Sequence, residues 1–205
     1  MSNDIIKELN SPIIFEETNL TKHFKKVNLK EEQLKYMSRD EVHEFLNSIK
    51  GKKEKLLFLF MWYTGCRVSE VIGVRRRDID FENNMIRIRW LKNRKYLYRT
   101  MPIHPQIKTL LELTTADKGL DELVFPYSRQ RVWQIFKKNR YEPYDWIHPH
   151  TFRHSFAVNY LRQADSANDL VILRKLMGHS SILTTMKYLD IVPRDQAKQL
   201  AKIQF

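Results

Sequence analysis

Apolar and polar positions change period several times along this chain, and each change marks an element. Ser38-Arg39-Asp40-Glu41 places a serine three residues before a glutamate, the reciprocal capping box that opens a helix. That helix is expected to run to about Ile49, with Gly51 ending it. Leu56 to Met61 is apolar without a break, and its flanks favour a helix buried on most sides. Gly65 interrupts it, and Val68, Val71 and Ile72 then form an inward stripe at helical spacing. From Met85 to Trp90 the period drops to two, Met-Ile-Arg-Ile-Arg-Trp, which predicts a half-buried strand with a cationic outer face. Lys92-Asn93-Arg94-Lys95 makes a polar turn, and a second strand returns from Tyr96 to Ile103, closed by Pro102 and Pro105. Helical patterns follow at about 105–115, 129–139, 149–164, 169–177 and 181–190, and Pro193 suits the first position of a last helix. The fold class read from this order is mainly α with one small antiparallel β-sheet (α+β).

Residues 1–37 differ from the rest: polar, mixed in charge and broken early by Ser11-Pro12. They read as an N-terminal arm or linker, followed by one domain over 38–192 and a helical tail over 193–205. A length of 205 residues and a hydrophobic fraction of 42% suit a single domain with a real core. Charge narrows the partner. Lysine and arginine number 36 against 24 acidic residues, a net charge of +12, and such a balance favours a polyanion, with nucleic acid the usual one. Cys66 is the single cysteine, so an intramolecular disulfide framework and a cysteine-rich zinc site are excluded. No apolar run approaches the roughly 20 residues that span a bilayer, and the Met1-Ser2-Asn3-Asp4 start lacks the pattern of a signal peptide. The expectation is an intracellular protein, in the cytoplasm or associated with the nucleoid, without a membrane partner.

Candidate chemistry sits in three blocks: Thr64-Gly65-Cys66-Arg67-Val68-Ser69-Glu70, His150-Thr151-Phe152-Arg153-His154, and Leu176-Met177-Gly178-His179 followed by Thr184-Thr185 and Tyr188. Arg67 at a helix start can fork two N–H groups onto phosphate oxygens. Alone, it reads as a surface pair with Glu70. His150 and Arg153, at i and i+3, project from one helix face, whereas His154 is expected to point elsewhere as a structural hydrogen-bonder. Phe152 and Phe156 look like core. Gly178 lets the chain turn tightly before His179, Ser180 or Ser181 can cap the next helix, and Tyr188 should fall about two turns into it. A free tyrosine, with a pKa of about 10, is a poor nucleophile. Two arginines and histidines around one phosphate would stabilise its phenolate. Lys92 in the hairpin is the candidate acid for a leaving 5′-oxygen, although a basic hairpin tip can also serve only to touch backbone phosphate.

Together these blocks resemble the tyrosine recombinase (phage-integrase-type) family over about residues 38–190, including the nine residues from His179 to Tyr188. The resemblance implies the catalytic-domain fold of that family, with Arg67 and Arg153 as the phosphate clamp and His150 and His179 assisting proton transfer. Tyr188 becomes the nucleophile of a 3′-phosphotyrosyl bond and Lys92 the hairpin lysine. It further implies double-stranded DNA as partner, a homotetramer on two DNA sites, and no metal or nucleotide cofactor. Two departures stand out. The commoner interval back from Pro102 lands on Arg94, with Lys95 beside it as the reserve for Lys92. About 37 residues before the capping box are too few for the family's N-terminal DNA clamp, as in a compact member or a fragment of a longer protein. The tail residues Leu200, Ile203 and Phe205 would pack on a neighbouring protomer or fold back on their own domain. Relaxation of supercoils in the manner of a type IB topoisomerase, and a catalytically silent DNA-binding accessory protein, remain the alternative functions.

Overall fold

The computed structural model describes residues 34–92 and 94–189. The expectations for the N-terminal arm before residue 34, and for the last helix with Leu200, Ile203 and Phe205, fall outside the described residues.

The capping box forms as expected: Glu41 N–H donates to Ser38 Oγ and Ser38 N–H to Glu41 Oε2. It opens α1 (Arg39–Ser48), which buries Val42, Phe45 and Leu46. The apolar block becomes α2 (Lys52–Thr64), whose Leu56, Leu57, Phe58, Phe60, Met61 and Trp62 are all buried. A helix apolar on most sides must be central, and α2 packs on α4 (Pro105–Thr115) and α6 (Pro149–Arg162). Phe58 is the hub of an aromatic cluster with ring centroids 4.6 Å from Phe136, 5.3 Å from Phe45 and 5.5 Å from Phe152. Phe136 comes from α5 (Arg129–Asn139). The core also takes in Met37, which is fully buried: its N–H donates to Ser155 Oγ, and Asn159 Nδ2 donates to its carbonyl.

Gly65 ends α2 in the left-handed region, with φ 60°. A Cβ there would stand 2.3 Å from the Phe156 ring, so Phe156 is half-buried packing against that turn rather than central core. Gly65→Ala should therefore cost about 2–5 kcal/mol, combining left-handed strain with overpacking, read as a lower urea midpoint at an unchanged slope.

The short α3 (Val68–Val71) follows, then a 3₁₀ turn (Arg76–Asp78) and an antiparallel sheet. The expected hairpin is β2 (Met85–Lys92) with β3 (Lys95–Pro102), in the register Ile86↔Met101, Ile88↔Arg99, Trp90↔Leu97 and Lys92↔Lys95. A two-residue β1 (Ile79–Asp80), too short to show a period, adds a third strand beside β2. Ile86, Ile88 and Met101 face the core. On the outer face Arg87 lies over Tyr98 and Arg89 over Tyr96, with 5.2 and 4.6 Å to the ring centroids. The cationic face predicted from the alternation is present, interleaved with exposed aromatic rings.

Two further helices complete the described chain: α7 (Ala167–Met177) and α8 (Ile182–Met186). The helix expected over 181–190 is thus much shorter. Tyr188 lies past its end, in a turn where its N–H donates to the Thr185 carbonyl. No described helix is long and apolar enough to cross a membrane.

Candidate active site

Arg153 sits at the centre. It is 4% exposed, and its guanidinium is held by two helix ends: NH1 donates to the Gly65 carbonyl beyond α2, and NH2 to the Met177 carbonyl at the end of α7, each at 2.7 Å. Carbonyls at helix C-termini carry the negative end of the dipole, so each left-handed glycine turn (Gly65 and Gly178) presents an acceptor to one buried cation. Burial first, and then the nearby Arg67, lower the Arg153 pKa to about 10.

Arg67 is the N-cap of α3, and its side chain is 39% exposed. It is tethered by Glu70, whose Oε1 accepts from Arg67 NH1 at 3.0 Å while Oε2 accepts from the Arg67 backbone N–H at 2.9 Å. Arg67, His150 and Arg153 line one small recess of about 80 Å³. The two arginines and His150 expected to meet do so. His150 is exposed, and its pKa is lowered by partial burial and by Arg153 and Arg67.

His179 stands against Arg153, with NH2 to Nε2 at 2.9 Å, and its Nδ1 is 2.9 Å from Thr185 Oγ1. A guanidinium only donates. His179 Nε2 therefore accepts, and Nδ1–H donates to Thr185. Burial first, then Arg153, Arg67 and Arg99, lower its pKa to about 4.

Tyr188 is 4% exposed, and its hydroxyl meets His154 Nδ1 at 2.9 Å. The arginines act on it in the expected direction, but in the free protein burial outweighs them. Burial pushes the phenol pKa up, and Arg153 and Arg67 offset it only in part. The expectation that His154 points away from the site is corrected. It stands at i+4 from His150 on the same face of α6, with ring centroids 6.3 Å apart, a spacing that already places two side chains together on a helix.

Lys92 ends β2 opposite Lys95. The role expected of its side chain falls outside the described residues. Lys95 and Arg94 are both exposed at the hairpin end.

Sequence reading missed Arg99. Its side chain is 8% exposed and joins the first and third blocks: Nε donates to the Leu176 carbonyl at 2.8 Å, and NH2 to Glu70 Oε2 at 2.8 Å, with Cys66 Sγ at 3.4 Å. A Cβ on Gly178 would stand 2.7 Å from Arg99 NH1. Burial raises the Glu70 pKa, but the Arg99 hydrogen bond and charge outweigh it and hold the carboxyl below its ordinary range. The signal lay in the strand alternation: Arg99 shares the parity of the buried Met101 and pairs across the hairpin with the buried Ile88. Beyond Arg99 opens a groove of about 1050 Å³ lined by Arg67, Arg89, Trp90, Arg174, Lys175 and His179 among others. Among the described residues, no three His, Cys, Asp or Glu side chains gather to hold a metal ion.

His154 and His179 are both neutral in the fold, with pKa values of about 4, and would titrate near 6.5 when unfolded. Between those values the unfolded chain binds more protons. Stability is therefore kept above about pH 6.5 and lost as pH falls towards 4. Urea midpoints should decline across that window, and less steeply in His154→Gln.

The site thus gathers the buried Arg153 with Arg67 and His150 at one recess, His179 against Arg153, and Tyr188 against His154, in a helical domain with a basic hairpin. The chain belongs to the phage integrase family, whose model matches residues 35–194. It is 29% identical over 174 residues to the tyrosine recombinase XerA of Saccharolobus solfataricus, and 32% identical over 171 residues to that of Thermococcus onnurineus. These matches cover 85% and 77% of this chain, and it spans 58% of the length of either relative. Among solved structures, the XerA recombinase matches with a TM-score of 0.65 at 20% identity, over 83% of this chain and 64% of that one. The catalytic domain of bacteriophage HP1 integrase matches at 0.60 and 16%, over 83% of this chain and 95% of that one. The Tn1549 transposon integrase in complex with circular intermediate DNA matches at 0.69 and 19%, over 91% and 70%. At these identities the likeness is one of fold.

Proposed function

We propose that this protein is a site-specific DNA recombinase that cuts and rejoins duplex DNA through a 3′-phosphotyrosyl intermediate. One observation carries the reading: the phenol of Tyr188 lies within the electrostatic reach of both Arg153 and Arg67, two of the three arginines that line a recess of about 80 Å³. A scissile phosphate entering there meets two arginines, and preorganised cations stabilise the charge that builds on its oxygens in the transition state. The Tyr188 oxygen bonds to phosphorus, the P–O5′ bond breaks, and the 5′-oxygen leaves as a hydroxyl. The bond energy stays in the phosphotyrosine, so a second 5′-hydroxyl can reverse the step and join a new strand. His150 contacts the phosphate and assists proton transfer there, His179 braces Arg153 beside it, and Lys92, with Lys95 as its alternative, protonates the leaving oxygen from the hairpin. Basic and aromatic side chains along the large groove suit a duplex backbone.

Relatives called tyrosine recombinases favour recombination over simple relaxation or silent binding. The assembly proposed with it is a homotetramer on two DNA sites, and the place of action is inside the cell, where the DNA is. The test is covalent capture. The 205-residue protein is incubated with randomised duplexes carrying a nick near the centre, and DNA that stays attached after denaturation is recovered. The linked peptide should contain Tyr188. Attachment at another residue, or none across the library, would refute the reading.

A further inference from the structure

We propose that His154 is a catalytic residue of this site: its Nδ1 takes the phenolic proton of Tyr188 as the tyrosine oxygen attacks phosphorus. The inference rests on the phosphotyrosine reading above and names the group that takes the tyrosine's own proton.

The first argument is contact. The Tyr188 hydroxyl lies 2.9 Å from His154 Nδ1, within the range a general base requires. The second is need. Tyr188 is buried, and burial raises its pKa above that of a free phenol, so phenolate is scarce at neutral pH. The third is elimination. Both nitrogens of His179 are committed, Nε2 to Arg153 and Nδ1 to Thr185. The His150 ring packs between His148 and His154, with centroids 6.2 and 6.3 Å away, and has no described hydrogen bond to Tyr188.

The surroundings keep His154 ready to accept. His150 and Arg153 face it from α6, His148 from the N-cap of that helix, and Tyr188 from the turn after α8. Burial and those neighbours hold the ring neutral, with a pKa of about 4. With its own proton on Nε2, the ring offers the Nδ1 lone pair to the phenol. A bound phosphate brings negative charge against Arg67 and Arg153. That charge offsets the cations that depress the imidazole and raises its basicity when the proton must move.

In the cleavage step the Tyr188 O–H bond breaks and its proton passes to Nδ1. The freed electron pair forms the O–P bond. The P–O5′ pair leaves on the 5′-oxygen, which takes its proton from the hairpin lysine or from water. Rejoining runs in reverse: a 5′-hydroxyl attacks, and the imidazolium returns its proton to the departing Tyr188 oxygen.

The test uses the duplex captured by the wild-type protein, rebuilt with a bridging 5′-phosphorothiolate at the mapped position. A thiolate leaves without a proton, so single-turnover attachment then reports the nucleophile's proton transfer. His154→Ala and His154→Gln should bind this duplex like wild type but attach about 100-fold more slowly at neutral pH. Their rates should climb about tenfold per pH unit as hydroxide replaces the missing base, and added imidazole should restore part of the His154→Ala rate. Attachment at the wild-type rate, or a slower rate with the wild-type pH profile, would overturn the proposal, since a purely structural histidine would leave that profile unchanged. A second measurement does not depend on the variants folding. Nitrogen-15 shifts of the free wild-type protein should show His154 protonated on Nε2, and protonation on Nδ1 would overturn the assignment. If wild-type protein never attaches to DNA, the phosphotyrosine reading itself fails. If wild type attaches and both variants match it, only His154 falls.

Discussion

Tyr188→Phe protein should bind the captured duplex with wild-type affinity and yield no covalent product. The substitution removes one oxygen and leaves the ring, so the packing of a side chain that is 4% exposed survives. The proposed phosphate cations Arg67 and Arg153 are untouched, and on that reading they supply affinity irrespective of the nucleophile. Lost with the oxygen is the hydrogen bond to His154, worth about 1 kcal/mol of stability. The measurement is a denaturing gel of single-turnover reactions beside an equilibrium binding titration. Attachment that persists in the variant would assign the nucleophile elsewhere. Binding lost along with attachment would mean the hydroxyl holds the fold of the site rather than reacting.

Arg99→Met should cost about 3 kcal/mol of stability and most of the cleavage activity, because it leaves a buried carboxylate short of a partner. Glu70 is 2% exposed and shares its two oxygens between Arg67 and Arg99. Without Arg99 its desolvation is met by Arg67 alone, and the α7 carbonyl of Leu176 loses its donor. The deficit should depend on pH. The depressed carboxyl of Glu70 contributes stability that is present above the unfolded pKa of about 4.3 and is lost as pH falls through the lower folded value. Wild type and variant should therefore converge in urea midpoint below about pH 4. Adding Glu70→Leu to Arg99→Met should recover part of the stability, since an apolar pair can replace a buried ion pair. Activity should not return, because Arg67 then lacks its tether. A double variant that regains cleavage would show that Glu70 and Arg99 only fill space.

Much of this molecule could be read from spacing. The α4 and α5 boundaries fall where the apolar periodicity starts and stops, and the Ser38–Glu41 box opens α1 as its residue types require. The alternation from Met85 to Trp90 gave both the hairpin and its cationic face. The same reading ran α8 too long, because Ile182, Leu183 and Met186 continue a helical pattern with no stop signal after them. The chain leaves the helix after Met186, and Tyr188 turns in against His154 on α6, a contact with a partner 34 residues away.

The sequence by itself determined the three chemical blocks, the order of helices around a small sheet and the basic character of the outer strand face. Each follows from neighbours on one element, where a period of two or 3.6 residues fixes which side chains travel together. Only the tertiary structure decided that Arg99 ties the first and third blocks together, that His179 has both nitrogens occupied, and that Tyr188 is buried on His154. Those outcomes depend on which faces meet across long stretches of chain. A side chain's period fixes the direction it points, but its partner and its protonation are set by what the opposing element brings to it.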